Sequence, residues 1–303
     1  MLANQLNQGV GKSVHELDLT KQYIATIKFD GVRVRVLQDE QLCTKTGEYE
    51  RVFASKNGKR LANNYLRELL GSAGLGGCDG ELLGGALLGK AAYKQAISAA
   101  MTHDSVPEKW QYLVFDYFGD GSEEFLAKPW HERIAYARRA IGNLPSEAYG
   151  HVRIAEPIAF ANAEYLEVEL HSLVDSGAEG IMLQDINAPY LLRRCTPKQS
   201  YTCKLKPFAD AEGTIIGFEE AKFSAGKTIP KELHGKPKGQ AAVLLLQTKE
   251  FGEIKVAGLE HGLAKDVFTN LDNYLGKVVT YKYQKSGSDR RPRHPTFLRF
   301  RED

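Results

Sequence analysis

The sequence predicts an α+β protein of two domains. Antiparallel sheets with flanking helices are expected over residues 1–206, and a small all-β barrel over 207–303. Three observations predict it. Short apolar runs alternate with segments of helical spacing as far as about Lys206. Beyond Pro207 only short β-type runs follow, separated by turns. At 303 residues, with 43% hydrophobic and 26% charged content, the chain can bury two cores of ordinary globular composition.

In order, residues 1–20 are polar and are expected to stay loosely ordered until Leu17 or Leu19 docks. Tyr23–Ile27 is an apolar strand that ends on Lys28, and Asp30-Gly31 turns the chain into a second strand, Val32–Leu37, carrying Arg33. Leu61, Tyr65, Leu66, Leu69 and Leu70 have helical spacing. Cys78-Asp79-Gly80-Glu81-Leu82 reads as a turn bearing a carboxylate. A Gly-rich loop precedes a helix over Ala91–Met101, and Tyr112–Asp116 reads as a buried strand ending in Phe115 and an acid. Trp130–Ile141, opened by Pro129, and Glu164–Val174 are two further helices. Glu179 opens the strand Gly180–Leu183, and Cys203–Lys206 alternates so that Lys204 and Lys206 share one face.

The runs Ala211–Phe218, Ala241–Gln247, Glu253–Ala257 and Lys277–Gln284 suit a barrel of the oligonucleotide-binding (OB) type. Between the first two lies Lys222–Gln240, poor in apolar residues and carrying Lys222, Lys227, Lys231, Lys236 and Lys238; the sequence predicts a mobile loop there. No internal repeat is visible.

A net charge of +2 does not by itself imply nucleic acid, and the distribution says more, with a solvated strand face as the alternative reading. Eight basic residues between Lys277 and Arg301, Arg291 and Arg293 among them, stand against the single acid Asp289. Such a stripe can neutralise backbone phosphates. The four cysteines show no CxxC pairing, which argues against a zinc module and for buried thiols in a reducing compartment. No signal-peptide pattern or membrane-length apolar window is seen, so a cytoplasmic protein is expected.

The chemistry centres on Lys28-Phe29-Asp30-Gly31-Val32-Arg33. A lysine closing an apolar strand can serve as a covalent nucleophile where its surroundings favour the free amine. With the Asp79–Glu81 unit, Phe115, Glu179, the Lys204/Lys206 pair and the closing Arg293-His294-Pro295-Thr296-Phe297-Leu298-Arg299-Phe300-Arg301-Glu302-Asp303, it forms an ordered series. From Tyr23 to Asp303 the series resembles the ATP-dependent DNA ligases, within the covalent nucleotidyltransferases. The resemblance is closest to small bacteriophage and bacterial enzymes made of a catalytic core.

That resemblance implies an adenylation domain followed by an OB domain, and a nick-sealing enzyme with ATP as co-substrate and Mg²⁺ (or Mn²⁺) as the metal. Nicked duplex DNA is the implied partner, for a monomer without an obligate protein partner. By the same resemblance Lys28 is the nucleophile that takes AMP, with Ile27 beside it at the nucleotide. Arg33 contacts the ribose and later the nick end, Glu81 binds the ribose or a metal, and Phe115 stacks on adenine. Glu179 holds the metal, Lys204 and Lys206 hold the α-phosphate, and Asp30 acts after adenylylation. Arg194 lies near the adenylate, and Arg301 and Asp303 orient the outer phosphates. Ser55-Lys56 best matches the family's serine-arginine, with Thr44-Lys45 competing. Lys227, Lys231, Lys236 and Lys238, with Arg291 and Arg293, are expected on DNA.

Four positions depart from the family: Lys56 stands where Arg is usual, Thr26 where Glu is common, Gln184 where Lys is common, and the given sequence ends without the usual terminal Lys. An RNA ligase or a capping guanylyltransferase is the alternative enzyme, and a catalytically inert nick binder the alternative of another class.

Overall fold

The computed structural model describes residues 4–5, 21–43, 45–54, 59–89, 91–196, 198–225, 229–284 and 292–301. The chain divides into two compact units, Met1–Lys206 and Pro207–Asp303.

Among its described residues the first unit holds eleven strands: β1 (Asn4–Gln5), β2 (Tyr23–Lys28), β3 (Val32–Leu42), β4 (Tyr49–Ala54), β5 (Lys59–Arg60), β6 (Cys78–Gly84), β7 (Trp110–Tyr117), β8 (Val152–Ile154), β9 (Pro157–Ile158), β10 (Gly180–Asp185) and β11 (Thr202–Leu205). Its helices among the described residues are α1 (Asn64–Ser72), α2 (Ala92–Met101), α3 (Glu123–Leu126), α4 (Trp130–Gly142) and α5 (Ala163–Asp175). The strands form a six-stranded sheet, β5-β4-β3-β6-β7-β8, and a five-stranded sheet, β1-β11-β10-β2-β9. Pairing is antiparallel except at two edges, β7 with β8 and β1 with β11. β1 was not expected in a segment read as loosely ordered.

Each sheet buries one face against helices. Val34, Val36, Leu82, Tyr112 and Val114 pack with Leu66 and Leu70 of α1 and Trp130 and Ile134 of α4. Ala25, Ile181, Leu183, Cys203 and Leu205 pack with Leu166 and Leu170 of α5. Because strand side chains alternate, burying that set turns Ile24, Thr26, Met182, Gln184, Thr202 and Lys204 to the opposite face.

β2 and β3 are not a hairpin. They lie in different sheets, and Phe29–Gly31 is the crossover. Gly31 is needed here for closeness rather than for a left-handed turn: a Cβ would stand 2.6 Å from the Leu82 carbonyl oxygen. The Cys78–Leu82 segment, expected as a turn, is a continuous strand, with a pairing irregularity at Asp79/Gly80 accommodating Gly80. The helix expected from Leu61 starts at Asn64, because Asn63 caps it: its side-chain oxygen accepts from Leu66 N–H at 2.9 Å.

The second unit is a five-stranded antiparallel sheet of β12 (Ala209–Lys222), β13 (Pro237–Thr248), β14 (Gly252–Val256), β15 (Val278–Gln284) and β16 (Arg293–Phe300), in the order β14-β13-β12-β15-β16. A parallel bridge from Ala257 to Thr296 brings the two edges together, with Ala257 N–H donating to Pro295 and Phe297 N–H to Ala257. Ile215, Leu244, Leu246, Val256, Val279 and Tyr281 fill the interior with Val267 of α6 (His261–Thr269). The barrel expectation holds, but α6 and β16 were not anticipated.

The long loop expected over Lys222–Gln240 is shortened at its ends: Lys222 and Pro237–Gln240 are strand, and the described residues between them are irregular apart from a 3-10 turn at Lys231–Leu233. β12 and β13 outrun the core as a two-stranded ribbon, pairing Lys222 with Pro237. Phe223 N–H donates to the Lys236 carbonyl at 2.9 Å and Gly235 N–H to the Phe223 carbonyl at 2.8 Å, carrying the pairing one step past the strands. Backbone pairing needs no apolar side chains, so the polar composition that suggested a loop did not prevent strands.

One buried ion pair ties α4 to β7. Arg133 is 0% exposed. It forks onto Asp116, Nε to Oδ1 and the terminal nitrogen to Oδ2, both at 3.0 Å, and donates to the Ala188 carbonyl at 2.9 Å. Asp116→Ala would strand that guanidinium without a counter-charge. A loss of about 3–5 kcal/mol of unfolding free energy is expected, measured by urea denaturation; a loss below about 1 kcal/mol would contradict a buried, paired charge.

Candidate active site

The two sheets enclose a cavity of about 260 Å³ whose lining comes from both. Its floor is the exposed-side face of the five-stranded sheet. Cross-strand rows place Thr26 beside Met182 and Met182 beside Lys204, then Ile24 beside Gln184 and Gln184 beside Thr202. The Thr202 hydroxyl donates to the Gln184 side-chain oxygen at 2.7 Å, so the residue standing for the family's lysine is held within the floor.

Lys28 closes β2 at the end of this floor. Glu179 N–H donates to the Lys28 carbonyl at 3.0 Å, which sets the two side chains together where β10 begins. The Glu179 carboxylate then bridges two ammonium groups, one oxygen on Lys28 Nζ and the other on Lys206 Nζ. Glu179 and Lys206 themselves stand outside the cavity lining. Burial by itself would raise the Glu179 carboxyl, but Lys28 and Lys206 reverse this and hold it below the usual carboxylate range. Burial, then the charges of Lys206 and Lys28, lower the Lys204 ammonium. The expected cationic neighbours are therefore present, but the charged group in contact with Lys28 is an anion.

Gly180 makes this junction possible. A Cβ there would fall 2.1 Å from the Leu205 carbonyl oxygen, so only glycine lets β10 start this close to β11.

The facing wall comes from the six-stranded sheet. Arg33 pairs in register with Glu81. Its guanidinium forks onto Asp79, Nε to Oδ1 at 2.8 Å and a terminal nitrogen to Oδ2, and stands 5.7 Å from the Phe115 ring centroid. Asp79 is 0% exposed, and Tyr190 donates its hydroxyl to Oδ2 at 2.7 Å. Burial opposes the Asp79 charge, and Arg33 outweighs it and lowers the carboxyl. Glu81 accepts from Gly31 N–H at 3.2 Å. Burial pushes its carboxyl up to about 7, with Lys28 opposing and Glu179 adding to the rise. Phe115 is half-buried and lines the cavity, and its carbonyl accepts from Trp130 Nε1 at 2.9 Å.

Ile27 and the exposed Arg194 also line the cavity, and Asp30 lies on the crossover between β2 and β3. In the second unit Arg301 donates to Glu212 at 2.7 Å and Arg293 opens β16 opposite Gln284, while Lys238 is exposed on β13 and Lys231 and Lys236 are exposed on the connection before it. Ser55, Lys56, Thr44, Lys227, Arg291 and Asp303 lie outside the described residues.

Sequence reasoning assigned no role to Asp79, Tyr190, Asp116 or Arg133. The spacing of Asp79 from Glu81 was a usable signal, since residues two apart on a strand share a face. Tyr190, 111 residues from Asp79, had none.

The raised Glu81 carboxyl has a consequence for stability. A carboxyl lifted from its ordinary value near 4.5 to about 7 contributes stability that is full below about 4.5 and is lost as pH rises through about 7. Relative to Glu81→Gln, the parent protein is expected to lose melting temperature between pH 5 and pH 8 in metal-free buffer. A constant difference across that range would show that Glu81 titrates as an ordinary carboxylate.

Comparison with known proteins gives a consistent family. The model described as ATP dependent DNA ligase domain matches residues 1–198, and that described as DNA ligase OB-like domain matches 234–301. No curated protein matches the chain. Among solved structures, the Chlorella virus DNA ligase-adenylate is 24% identical, with 100% of this chain and 97% of that one covered, at a TM-score of 0.52. A structure from work on Lig E DNA ligases, described as DNA binding with a minimal scaffold, is 20% identical over 99% of this chain and 98% of that one, at a TM-score of 0.65. These two likenesses support the fold, and the family model, which spans well over half of the chain, decides the rest. With a lysine–carboxylate–lysine cluster at a cavity between two sheets and an OB-like unit after it, the chain belongs to the ATP-dependent DNA ligases, enzymes that form phosphodiester bonds.

Proposed function

We propose that the cavity between the two sheets is the adenylation site, that Lys28 is the nucleophile, and that nicked duplex DNA is the substrate. The observation that carries this is the Glu179 bridge, which draws Lys28 and Lys206 together beside Lys204 at one end of a cavity walled by Phe115. In the first transfer Lys28 Nζ attacks the α-phosphorus of ATP. A P–N bond forms, the bond to pyrophosphate breaks, and the amine loses a proton. The nick 5′-phosphate then takes the AMP, and the 3′-hydroxyl displaces it to close the strand. In each transfer negative charge gathers on non-bridging oxygens, where fixed cations lower the barrier. Lys204 and Lys206 supply them, and the incoming phosphates compete with Glu179 for the ammonium groups. Phe115 offers a ring face to adenine, with Ile27 and Arg194 alongside. Arg33 reaches the ribose and then the nick end, and Asp30 acts after adenylylation.

Among the described residues no three His, Cys, Asp or Glu side chains form a cluster able to cage a metal. Mg²⁺ commonly takes one or two carboxylates and completes its shell with substrate phosphates and water, a donor set that Glu81 in the cavity lining and Glu179, near enough for its charge to raise the Glu81 carboxyl, would fit. Mg²⁺ or Mn²⁺ held there would neutralise charge on the phosphate oxygens.

In the second unit, the β12–β13 ribbon and its connection, with exposed Lys222, Lys231, Lys236 and Lys238, is the duplex grip, together with Arg293. Arg301, and Asp303 by resemblance, orient the outer phosphates of ATP. By the same resemblance the enzyme works as a monomer without an obligate protein partner. Its place is the cytoplasm, where ATP and DNA meet and its four cysteines stay free thiols.

Lys28→Ala is expected to abolish the covalent adduct with α-labelled ATP while leaving the melting temperature within a few degrees. Label retained on the variant would place the nucleophile elsewhere, and a GMP adduct from GTP on the parent would overturn the choice of ATP. Replacing Lys231, Lys236 and Lys238 together by Gln should leave adenylylation intact. It should weaken nick binding and flatten log Kd against log salt by about 2–3. An unchanged slope would remove the ribbon from the DNA interface.

A further inference from the structure

We propose that Tyr190 is a positioning residue for Arg33, holding its guanidinium in the geometry that the sealing steps require. This rests on the role proposed above for Arg33. Tyr190 is 4% exposed and belongs to neither sheet, lying in the irregular segment between β10 and β11. Its hydroxyl donates to Asp79 Oδ2 at 2.7 Å and accepts from the Arg33 terminal nitrogen at 3.3 Å. The same Asp79 oxygen also receives Arg33, so hydroxyl, carboxylate and guanidinium close a three-membered ring of hydrogen bonds.

The segment carrying Tyr190 is itself anchored. Tyr190 N–H donates to the Leu126 carbonyl at 2.8 Å, and Arg133 holds the Ala188 carbonyl at 2.9 Å. The Arg133 guanidinium stands 5.7 Å from the Tyr190 ring centroid. The ring is thus held from one side by the buried Arg133–Asp116 pair, and its hydroxyl presents that rigidity to Asp79 and Arg33.

An arginine on a strand facing a cavity has several rotamers. Asp79 alone would tether it through one fork, about which the fork and its carboxylate can still swing together. The third partner removes that motion, because Asp79 Oδ2 and the guanidinium must both keep their distance to one fixed oxygen. In a buried site such a network loses more than one pairwise bond when a member is removed. Tyr190→Phe deletes the hydroxyl and keeps the ring under Arg133, so packing is preserved.

The test is a double-mutant cycle on the full chain with Arg33→Ala, Tyr190→Phe and the pair. It is read by single-turnover sealing of nicked duplex from pre-adenylylated enzyme, with KM for ATP in adenylylation and melting temperature in parallel. Tyr190→Phe is expected to slow sealing about tenfold, as for loss of a hydrogen bond to a charged network, and to raise KM for ATP by a smaller factor, since the same guanidinium reaches the ribose. In the Arg33→Ala background the same change should have no further effect, because the residue it positions is gone. Additive losses, or a Tyr190→Phe enzyme as fast as the parent while Arg33→Ala is slow, would overturn the proposal and leave the Arg33 role standing. An Arg33→Ala enzyme that seals at the parent rate would overturn that role and this proposal with it. A fall in sealing and adenylylation in proportion to a lowered melting temperature would reduce Tyr190 to a structural residue.

Discussion

The bridge from Glu179 to Lys28 and Lys206 is the interaction on which the remaining architecture of the site turns. Two ammonium groups brought close in a partly buried place repel each other, and a carboxylate between them is what makes the pairing stable. The carboxylate can reach both only because β10 is the central neighbour of β2 and β11, and because it begins level with the end of β2. Gly180 is the tolerance in that arrangement, since any side chain would force β10 away from the Leu205 carbonyl. Moving the register of β2 by one residue would turn Lys28 into the apolar layer with Ala25 and Ile181.

The two walls of the cavity hold charge in different ways. At the end of the floor Glu179 bridges Lys28 and Lys206, and Lys204 stands close enough to feel all three, so three lysines are set against one carboxylate. On the facing wall, Arg33 and Asp79 neutralise each other, and Glu81 sits in a place where burial favours its protonated form. Phosphate chemistry suits the first wall, while the second supplies a rigid frame and an aromatic face. The crossover Phe29–Gly31 joins the walls, and the Gly31 N–H links it to Glu81. A change in the crossover therefore acts on both walls together.

The second unit uses one backbone pairing for two purposes. Near the core, β12 and β13 alternate apolar residues such as Ile215, Leu244 and Leu246 into the barrel. Beyond it the same two strands continue as a polar ribbon bearing exposed lysines, held by backbone hydrogen bonds and by bulges at Glu219 and Glu220. Extending a strand pair already formed costs less order than building a separate loop element, which explains how a basic arm projects from so small a barrel.

The sequence by itself determined the fold class, most helices, four of the five barrel strands and the charged groups that meet at the end of the floor, because each is written in local periodicity or in motif order. The alternation that places Lys204 and Lys206 on one face is a property of any strand, and Glu179 and Lys28 are named by their motifs. It misread Cys78–Leu82 as a turn and began the Lys222–Gln240 loop too early and ended it too late, since glycine and polar composition signal turns only when no partner strand supplies hydrogen bonds. What only the tertiary structure decided is which groups meet: that β2 and β3 part into different sheets, that Arg33 is held by Asp79 and Tyr190, and that Arg133 is buried on Asp116. Those contacts join residues 17 to 157 positions apart. Their energy comes from desolvation and geometry created by packing, which no local pattern of residues carries.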